Sequence, residues 1–377
     1  KIKPKCNSIS TNLKETWVIG NISLEWPNNC EKIQLISING KTKNIYLFED
    51  PTIRKEYLPL NFTSLEKFHN ITNGDFLGNE FYPSEQNIII SENVVLPKNL
   101  KLILKNNQKI YLRNGALLVL LGDITIKGNE KNFVSIIGQE PEFGTVLSFN
   151  NKFVSDGLLI KNLKAPSING YDFYGGMNLV ESEILLKNTI FENSKSEDSL
   201  NLINSVANIK NIKFKNILSD ALDVDSGNIK FENFSCKNIG NDCIDFSNSI
   251  VEGNKFFAEK VGDKSLSIGE KSQVNINNLN IINSEIGVAV KDNSIAILEK
   301  INLSNITLPI AVFVKKKEYG PAKLEIKDFN LNKSNEIFLV DKFSELIIDG
   351  KIIQGDLEGE EVEALLYGNI YGKQTTR

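Results

Sequence analysis

One histidine, one methionine, two tryptophans and four cysteines are all that this 377-residue chain holds of those residue types. With His69 alone, a zinc site built on several histidines is excluded, the His-Glu-x-x-His helix included. A Ser-His-Asp or Cys-His catalytic group would have to use His69 or borrow from another chain. Long apolar runs are missing too: the longest, residues 115–122, falls far short of the ~18 that a membrane-spanning helix needs. No secretory leader is seen, and a start at Lys1 without methionine suits a mature or trimmed product. Positive charge is not in excess. Lys and Arg number 43 against 47 Asp and Glu, a formal net charge of -4. No basic face is expected to neutralise phosphates, so nucleic acid is excluded as a partner. Whatever chemistry the chain performs must rest on carboxylates and lysines.

What is present is a period of 22 residues. Leu200-Asn201-Leu202, Leu222-Asp223-Val224, Ile244-Asp245-Phe246, Leu266-Ser267-Ile268 and Val288-Ala289-Val290 recur at that interval, accompanied by Ile190, Ile212, Phe234 and Phe256. Each copy is rich in Ile, Val, Phe and Asn and is broken by Asn-Gly, Ser-Gly or Gly-Asn turn signals, with no 3.6-residue apolar stripe. Short strands joined by tight turns follow. The expected fold is all-β, a right-handed parallel β-helix solenoid whose coils stack in register at ~4.8 Å. About a dozen coils between residues 85 and 350 would make a rod roughly 60 Å long. The chain resembles the right-handed parallel β-helix (pectin-lyase-like) superfamily over most of its length.

A solenoid needs covered ends. Residues 1–75, which lack the period and carry Trp17, Trp26, Cys6, Cys30 and His69, read as a small β-rich domain or cap, followed by the β-helix over 76–350. Residues 351–377 read as a C-terminal cap, with a short amphipathic helix within 357–371 closing the far end. Cys6 and Cys30 could pair, as in an oxidising compartment, whereas Cys236 and Cys243 lie inside the repeat and read as buried.

The period also stacks acids. Strand alternation turns Leu222 and Val224 inward and Asp223 and Asp225 outward, with Asp245 beneath Asp223. The turns before the strands contribute Asp198, Asp220 and Asp242, one coil apart, and Lys264 falls beneath Asp242 with Asp263 beside it. Lys291 occupies the column that begins with Asp225. Like charges stacked at ~5 Å cost about 3 kcal/mol per pair at an effective dielectric of 20. A raised pKa, a lysine cap or a bound hard cation would relieve this. Calcium suits such oxygens, with Asp220, Asp223, Asp225, Asp242 and Asp245 as candidate ligands. Turn aspartates also cap backbone amides, an equal reading for Asp198, Asp220 and Asp242. Asp223 and Asp245 stand in mid-strand, where Asp is disfavoured, and are the sharper candidates.

A narrower resemblance rests on four segments: Leu218-Ser219-Asp220, Gly240-Asn241-Asp242, Gly262-Asp263-Lys264 and Val290-Lys291-Asp292. They are similar to the N-T-D, G-D-D, G-H-G and R-I-K segments that family 28 polygalacturonases carry on consecutive coils. The resemblance implies Asp242 as general acid, Asp220 as a water-activating group and Lys291 as a grip on a sugar carboxylate. Asn241, Asp263 and the Val-Lys-Asp segment depart from that pattern. The regular coils also resemble β-helix modules of bacterial surface proteins. Two functions follow. One is a secreted or cell-surface module that binds or displays toward acidic glycans through the aspartate face, alone, as a homo-oligomer or within a larger surface assembly. The other is a polysaccharide hydrolase or lyase acting on uronate polymers, with Asp223, Asp242, Asp245, Lys264 and Lys291 as catalytic candidates.

Three remaining features have modest expectations. Lys315-Lys316-Lys317 reads as a solvated turn ahead of a polyanion contact. Tyr171, Phe173 and Tyr174 form either a sugar-stacking platform or a hydrophobic loop. The Asn-x-Ser/Thr sites at Asn21, Asn61, Asn70, Asn233, Asn302, Asn305 and Asn332 are expected by chance in so Asn-rich a chain, and no glycan is assigned to them.

Overall fold

A computed structural model describes residues 2–4, 32–36, 42–46, 72–166, 173–334, 337–368 and 370–371. The chain divides into two compact units, Lys1–Leu60 and Asn61–Arg377. In the first unit, Ile2–Pro4 pairs with Lys32–Ile36, which pairs with Thr42–Tyr46, all antiparallel. Cys6, Cys30, Trp17, Trp26 and His69 lie outside the described residues, and with them the pairing of the first two cysteines.

The second unit is the expected parallel β-helix, of about 11 turns. Each coil presents three strand positions. Asp198–Ile203 supplies one, and Val206–Ile217, bent at Asn211, supplies the other two before Asp220–Asp225 begins the next coil. Pairing is parallel and in register from coil to coil: Leu200 with Leu222, Leu222 with Ile244, Leu266 with Val288, Val288 with Ile310. Inward side chains from every coil merge into one core, including Leu200, Leu222, Phe246, Ile268 and Val290. Burying each is worth roughly 1.5–3 kcal/mol, which is what the 22-residue pattern encodes. Phe191, Phe214, Phe234 and Phe256 stack through the interior at centroid spacings of 4.8, 5.3 and 5.9 Å.

The asparagines explain the corners. Left-handed backbone is required at each bend, and Asn tolerates it where bulkier residues do not. Asn188, Asn211 and Asn233 occupy one such corner, and Asn193, Asn216 and Asn238 another, all with positive φ. The later amides in each column donate to the asparagine one coil earlier, Asn233 to Asn211 at 2.8 Å and Asn238 to Asn216 at 2.9 Å, whereas Asn188 donates to Asp156. Asn233 and Asn305, both in glycosylation-type sequences, are engaged in these ladders.

Two features differ from the sequence reading. Cys236 and Cys243 are not merely buried: they form a disulfide with Cα atoms 6.0 Å apart, bridging the turn that carries Asn241 and Asp242. Such bonds persist in oxidising compartments. The C-terminal helix, Gly359–Tyr367, does not close the far end. Outward positions of the last coils turn apolar, and Ile286, Ala289, Leu308, Ala311, Phe313 and Leu339 form a second cluster with Val362 and Leu366 of the helix. Nine helical residues rise about 13 Å, close to the ~14 Å of three coil steps, so the helix covers that outer face along the solenoid axis. The end is finished instead by an antiparallel hairpin, Glu345–Ile348 with Lys351–Ile353, turning at Asp349 and Gly350. Among the described residues, no helix is long and apolar enough to cross a membrane.

Candidate functional site

Between the apolar ends of one outer face lies a polar interval a few coils tall. Reading down one column, Leu147 pairs with Asn178, then Asn201, Asp223, Asp245, Ser267, Ala289 and Ala311 follow in register. The expected stacking of Asp223 over Asp245 is therefore present, limited above by Leu147 and below by the surface that the helix covers.

The turn aspartates do cap backbone. Asp220 Oδ1 accepts the N–H of Asp242 at 2.9 Å and the amide of Asn241 at 2.7 Å, and Asp242 Oδ1 accepts the N–H of Lys264 at 2.8 Å. Asn201 donates to Asp198 Oδ2 at 2.9 Å and to Asp223 Oδ2 at 3.4 Å. Asp198 and Asp242 are buried, whereas Asp220, Asp223 and Asp245 are half-buried and Asp225 is exposed at the edge.

Two lysines sit under the face. Lys264, 3 % exposed, places Nζ 2.5 Å from Asp263 Oδ2 and 3.5 Å from Asp242 Oδ1. Lys291 takes an unexpected route. Its column runs Asp225, Ser247, Gly269, Lys291, yet its chain turns back across Gly269 to reach Ser267 Oγ at 3.1 Å and Asp245 Oδ2 at 3.7 Å. A Cβ on residue 269 would stand 2.6 Å from Lys291 Cε, so only glycine leaves the path open. Ser267 and Gly269 were not singled out by sequence; the signal was a glycine in mid-column one coil above a lysine.

Proton affinities separate along this face. Burial and the Asp220 carboxyl push Asp198 up to about 7. Burial and Asp242 push Asp220 up to about 8, and burial lifts Asp242 to about 7 against the charge of Lys264. Asp223 is held well above the carboxylate range by burial and by Asp198 and Asp245. Asp225 is raised by burial and Glu270. Asp245 goes the other way: burial opposes its charge, but Lys291 and then Lys264 outweigh burial and keep it below the ordinary value. Burial disfavours the charge on both lysines, yet Asp242 and Asp263 around Lys264, and Asp245 beside Lys291, raise them above the ordinary lysine value. Protons and lysines, two of the three remedies for stacked carboxylates, thus both act here.

Among the described residues, no three or more His, Cys, Asp or Glu side chains converge to hold a metal ion. Buried polar atoms without a hydrogen-bond partner are rare and ask for a reason. Asn201 Oδ1, Asn241 Oδ1, Asp245 Oδ1 and Ser265 Oγ are four such atoms, all on the strands and turns of this site. Aromatic rings stand at both ends. Half-exposed Tyr174 accepts the Asp198 N–H through its carbonyl at 3.1 Å, and the half-exposed ring of Tyr367 lies under Lys264 Nζ at 5.1 Å. Phe173 packs edge-on against Phe149 at 5.9 Å, while Tyr171 lies outside the described residues.

No protein-family model matches the chain. No curated protein matches it either. Several solved structures are similar to it. One is a mutant of the periplasmic alginate epimerase AlgG, at 8% identity over 76% of this chain and 83% of that one, with a TM-score of 0.44. Another is the catalytic domain of a GH87 alpha-1,3-glucanase in complex with nigerose, at 13% identity over 81% and 70%, with a TM-score of 0.41. A third is the enzymatically active domain of bacteriophage CBA120 tailspike protein 2, at 11% identity over 71% and 48%, with a TM-score of 0.30.

Proposed function

We propose that the protein acts on glycans as a polysaccharide hydrolase, with Asp223 as general acid and Asp245 as its ionised partner. The observation that carries this reading is the divergence of two half-buried carboxyls in one column: burial and its acidic neighbours hold Asp223 well above the ordinary carboxylate range, while Lys291 and Lys264 keep Asp245 below it. Paired carboxyls with opposite protonation are what glycoside cleavage requires, one to protonate the leaving oxygen and one to support the sugar cation or its water. In-register neighbours on strands ~4.8 Å apart are nearer the ~5–5.5 Å of retaining pairs than the ~6.5–9.5 Å of inverting ones. Asp242, at 4 % exposure, acts through Lys264 and not on substrate, so the acid that the polygalacturonase resemblance implies at Asp242 moves to Asp223. Tyr174 offers an apolar face for a sugar ring at the upper end, while the Tyr367 ring at the lower end carries Lys264 and Lys315.

The test is release of reducing ends from a panel of neutral and uronate polysaccharides. Asp223→Asn and Asp245→Asn should each lower kcat on the order of a thousandfold, the first with an unchanged melting temperature and the second with a lowered one, because Asp245→Asn leaves the buried Lys291 ammonium without its carboxylate. A double variant as active as the parent refutes the assignment. Glycan binding without turnover in the parent supports the second reading, a secreted or surface module for binding and display. That reading is favoured by the commitment of Asp220 and Asp242 to backbone amides.

Calcium is a separate proposal for the same face. Of the candidate ligands Asp220, Asp223, Asp225, Asp242 and Asp245, metal must displace protons from the first four, whose carboxyls are raised, and compete with Lys291 for Asp245. Millimolar calcium should therefore raise the melting temperature at pH 9 and leave it unchanged at pH 6. No response at pH 9, or an equal one at both, overturns a calcium site on the ladder.

A further inference from the structure

We propose that Lys315 is the anion-binding residue of this site, so that the glycan it takes carries a carboxylate or sulfate group on the sugar beside Tyr367. The inference rests on the glycan reading above and names its substrate class.

The two buried lysines are unsuited to that task. Lys264 is held by Asp263 and Asp242, and Lys291 by Asp245 and Ser267. The grip on a sugar carboxylate that the resemblance implies at Lys291 is therefore engaged internally. Of the basic run, Lys316 pairs with Glu270 and Lys317 with Glu360. Lys315 has no carboxylate partner among the described residues. Its Nζ lies 4.4 Å from the centroid of the Tyr367 ring, the same ring that receives Lys264 at 5.1 Å.

The run lies on a turn, as its sequence suggests, with Lys317 exposed, but the turn is anchored from beneath. Buried Asp292 accepts the N–H of Lys315 at 2.8 Å and of Lys316 at 2.6 Å through Oδ1, and buried Asp341 accepts the N–H of Val314 at 2.6 Å. Three backbone bonds to buried carboxylates fix where the lysine begins, and the tyrosine face fixes where it ends. Lys315 is close enough to contribute to the field at Asp245. A half-buried ammonium on an aromatic face gains about 0.5–2 kcal/mol from the ring but keeps its donors free for an anion. The site is therefore asymmetric along the solenoid axis, with proton-holding aspartates on the upper coils and an available cation at the lower edge.

The experiment is calorimetric binding of uronate trimers, their carboxyl-reduced neutral counterparts and sulfated oligosaccharides of equal length. It uses the full chain carrying Asp223→Asn, which mimics the protonated acid and stops turnover. Adding Lys315→Gln should weaken uronate binding about ten- to a hundredfold, with Lys315→Arg restoring most of it and neutral trimers unaffected. Tyr367→Ala should weaken the same ligands by loosening the lysine. Parallel loss of sulfated ligands would define the subsite as a general anion grip; loss confined to uronates would define it as a carboxylate site. Uronate affinity that is equal with and without Lys315→Gln overturns the inference. Turnover of neutral glycans alone, abolished by Asp223→Asn, also overturns it while leaving the hydrolase standing. Absence of any glycan binding or turnover removes the reading beneath it as well.

Discussion

Lys264→Met should lower the unfolding free energy by about 3–5 kcal/mol at pH 8, and by much less at pH 5. Lys264 and Asp242 are both nearly inaccessible, with side chains 4 % and 5 % exposed. Methionine fills much of the space of the lysine stem, so lost packing is a small part of the cost. The larger part is a carboxylate left in the interior with its counter-charge removed. Asp242 can escape by taking a proton, and burial already raises it to about 7 with the lysine present. Without Lys264 it rises further, so at pH 5 the group is neutral in the variant and the penalty largely vanishes. Asp263, which holds the same ammonium at 2.5 Å, adds to the penalty at pH 8. A second substitution, Asp242→Asn, should restore much of the stability at pH 8, because removing both charges of a buried pair costs less than removing one. Urea unfolding at the two pH values measures the difference. A loss below about 1 kcal/mol at pH 8, or an equal loss at both pH values, would mean that the pair is not electrostatically buried as described.

The register of this pair could be read from sequence, and its consequence could not. A solenoid of constant period makes stacking a matter of arithmetic, so Asp198 over Asp220 and Asp223 over Asp245 followed directly from residues 22 apart. What a period cannot supply is how far a long side chain travels. Lys291 belongs by register to the column of Asp225, but its four methylene groups carry the charge back across Gly269 to Asp245. Nor does a period describe segments that leave it. The helix Gly359–Tyr367 looked like an end cap because its amphipathic pattern gives no partner. Its partner was hidden in the outward alanines at 289 and 311, which break the polar alternation of the upper coils. The Cys236–Cys243 bridge has a related cause: Cys236 lies on the strand Asn228–Ile239 and Cys243 in the turn that follows it, so the two belong to different columns and the 22-residue period does not pair them. The candidate site is thus half a product of the repeat and half a product of the insertions folded against it, Tyr367 and Lys315 among them.

The intact protein should be more stable at pH 5 than at pH 9, the reverse of what salt-bridged aspartates produce. Asp198 at about 7, Asp220 at about 8 and Asp242 at about 7 bind protons more tightly in the folded chain than in the unfolded one, where a carboxyl titrates near 4. Between pH 4 and pH 8 the folded state therefore carries more protons than the unfolded state. Stability then falls as pH rises, by about 1.4 kcal/mol per pH unit for each proton of that excess. Asp223 and Asp225, also raised, add to the same slope. Asp245, lowered by its lysines, contributes with the opposite sign, and only below pH 4 where it begins to protonate. Because the acids are stacked, ionising one raises the cost of ionising the next, so the decline should spread over several pH units and level off above pH 8. Melting temperatures across pH 4.5–9 test this, with Asp220→Asn flattening the slope, since an amide replaces the carboxyl that titrates highest among the three. A melting temperature that climbs from pH 5 to pH 8 would show that the ladder is ionised throughout, and Asp223 would then lack the proton its catalytic assignment requires. Activity should fall on the alkaline side as Asp223, held above the ordinary carboxylate range by burial and by Asp198 and Asp245, loses its proton.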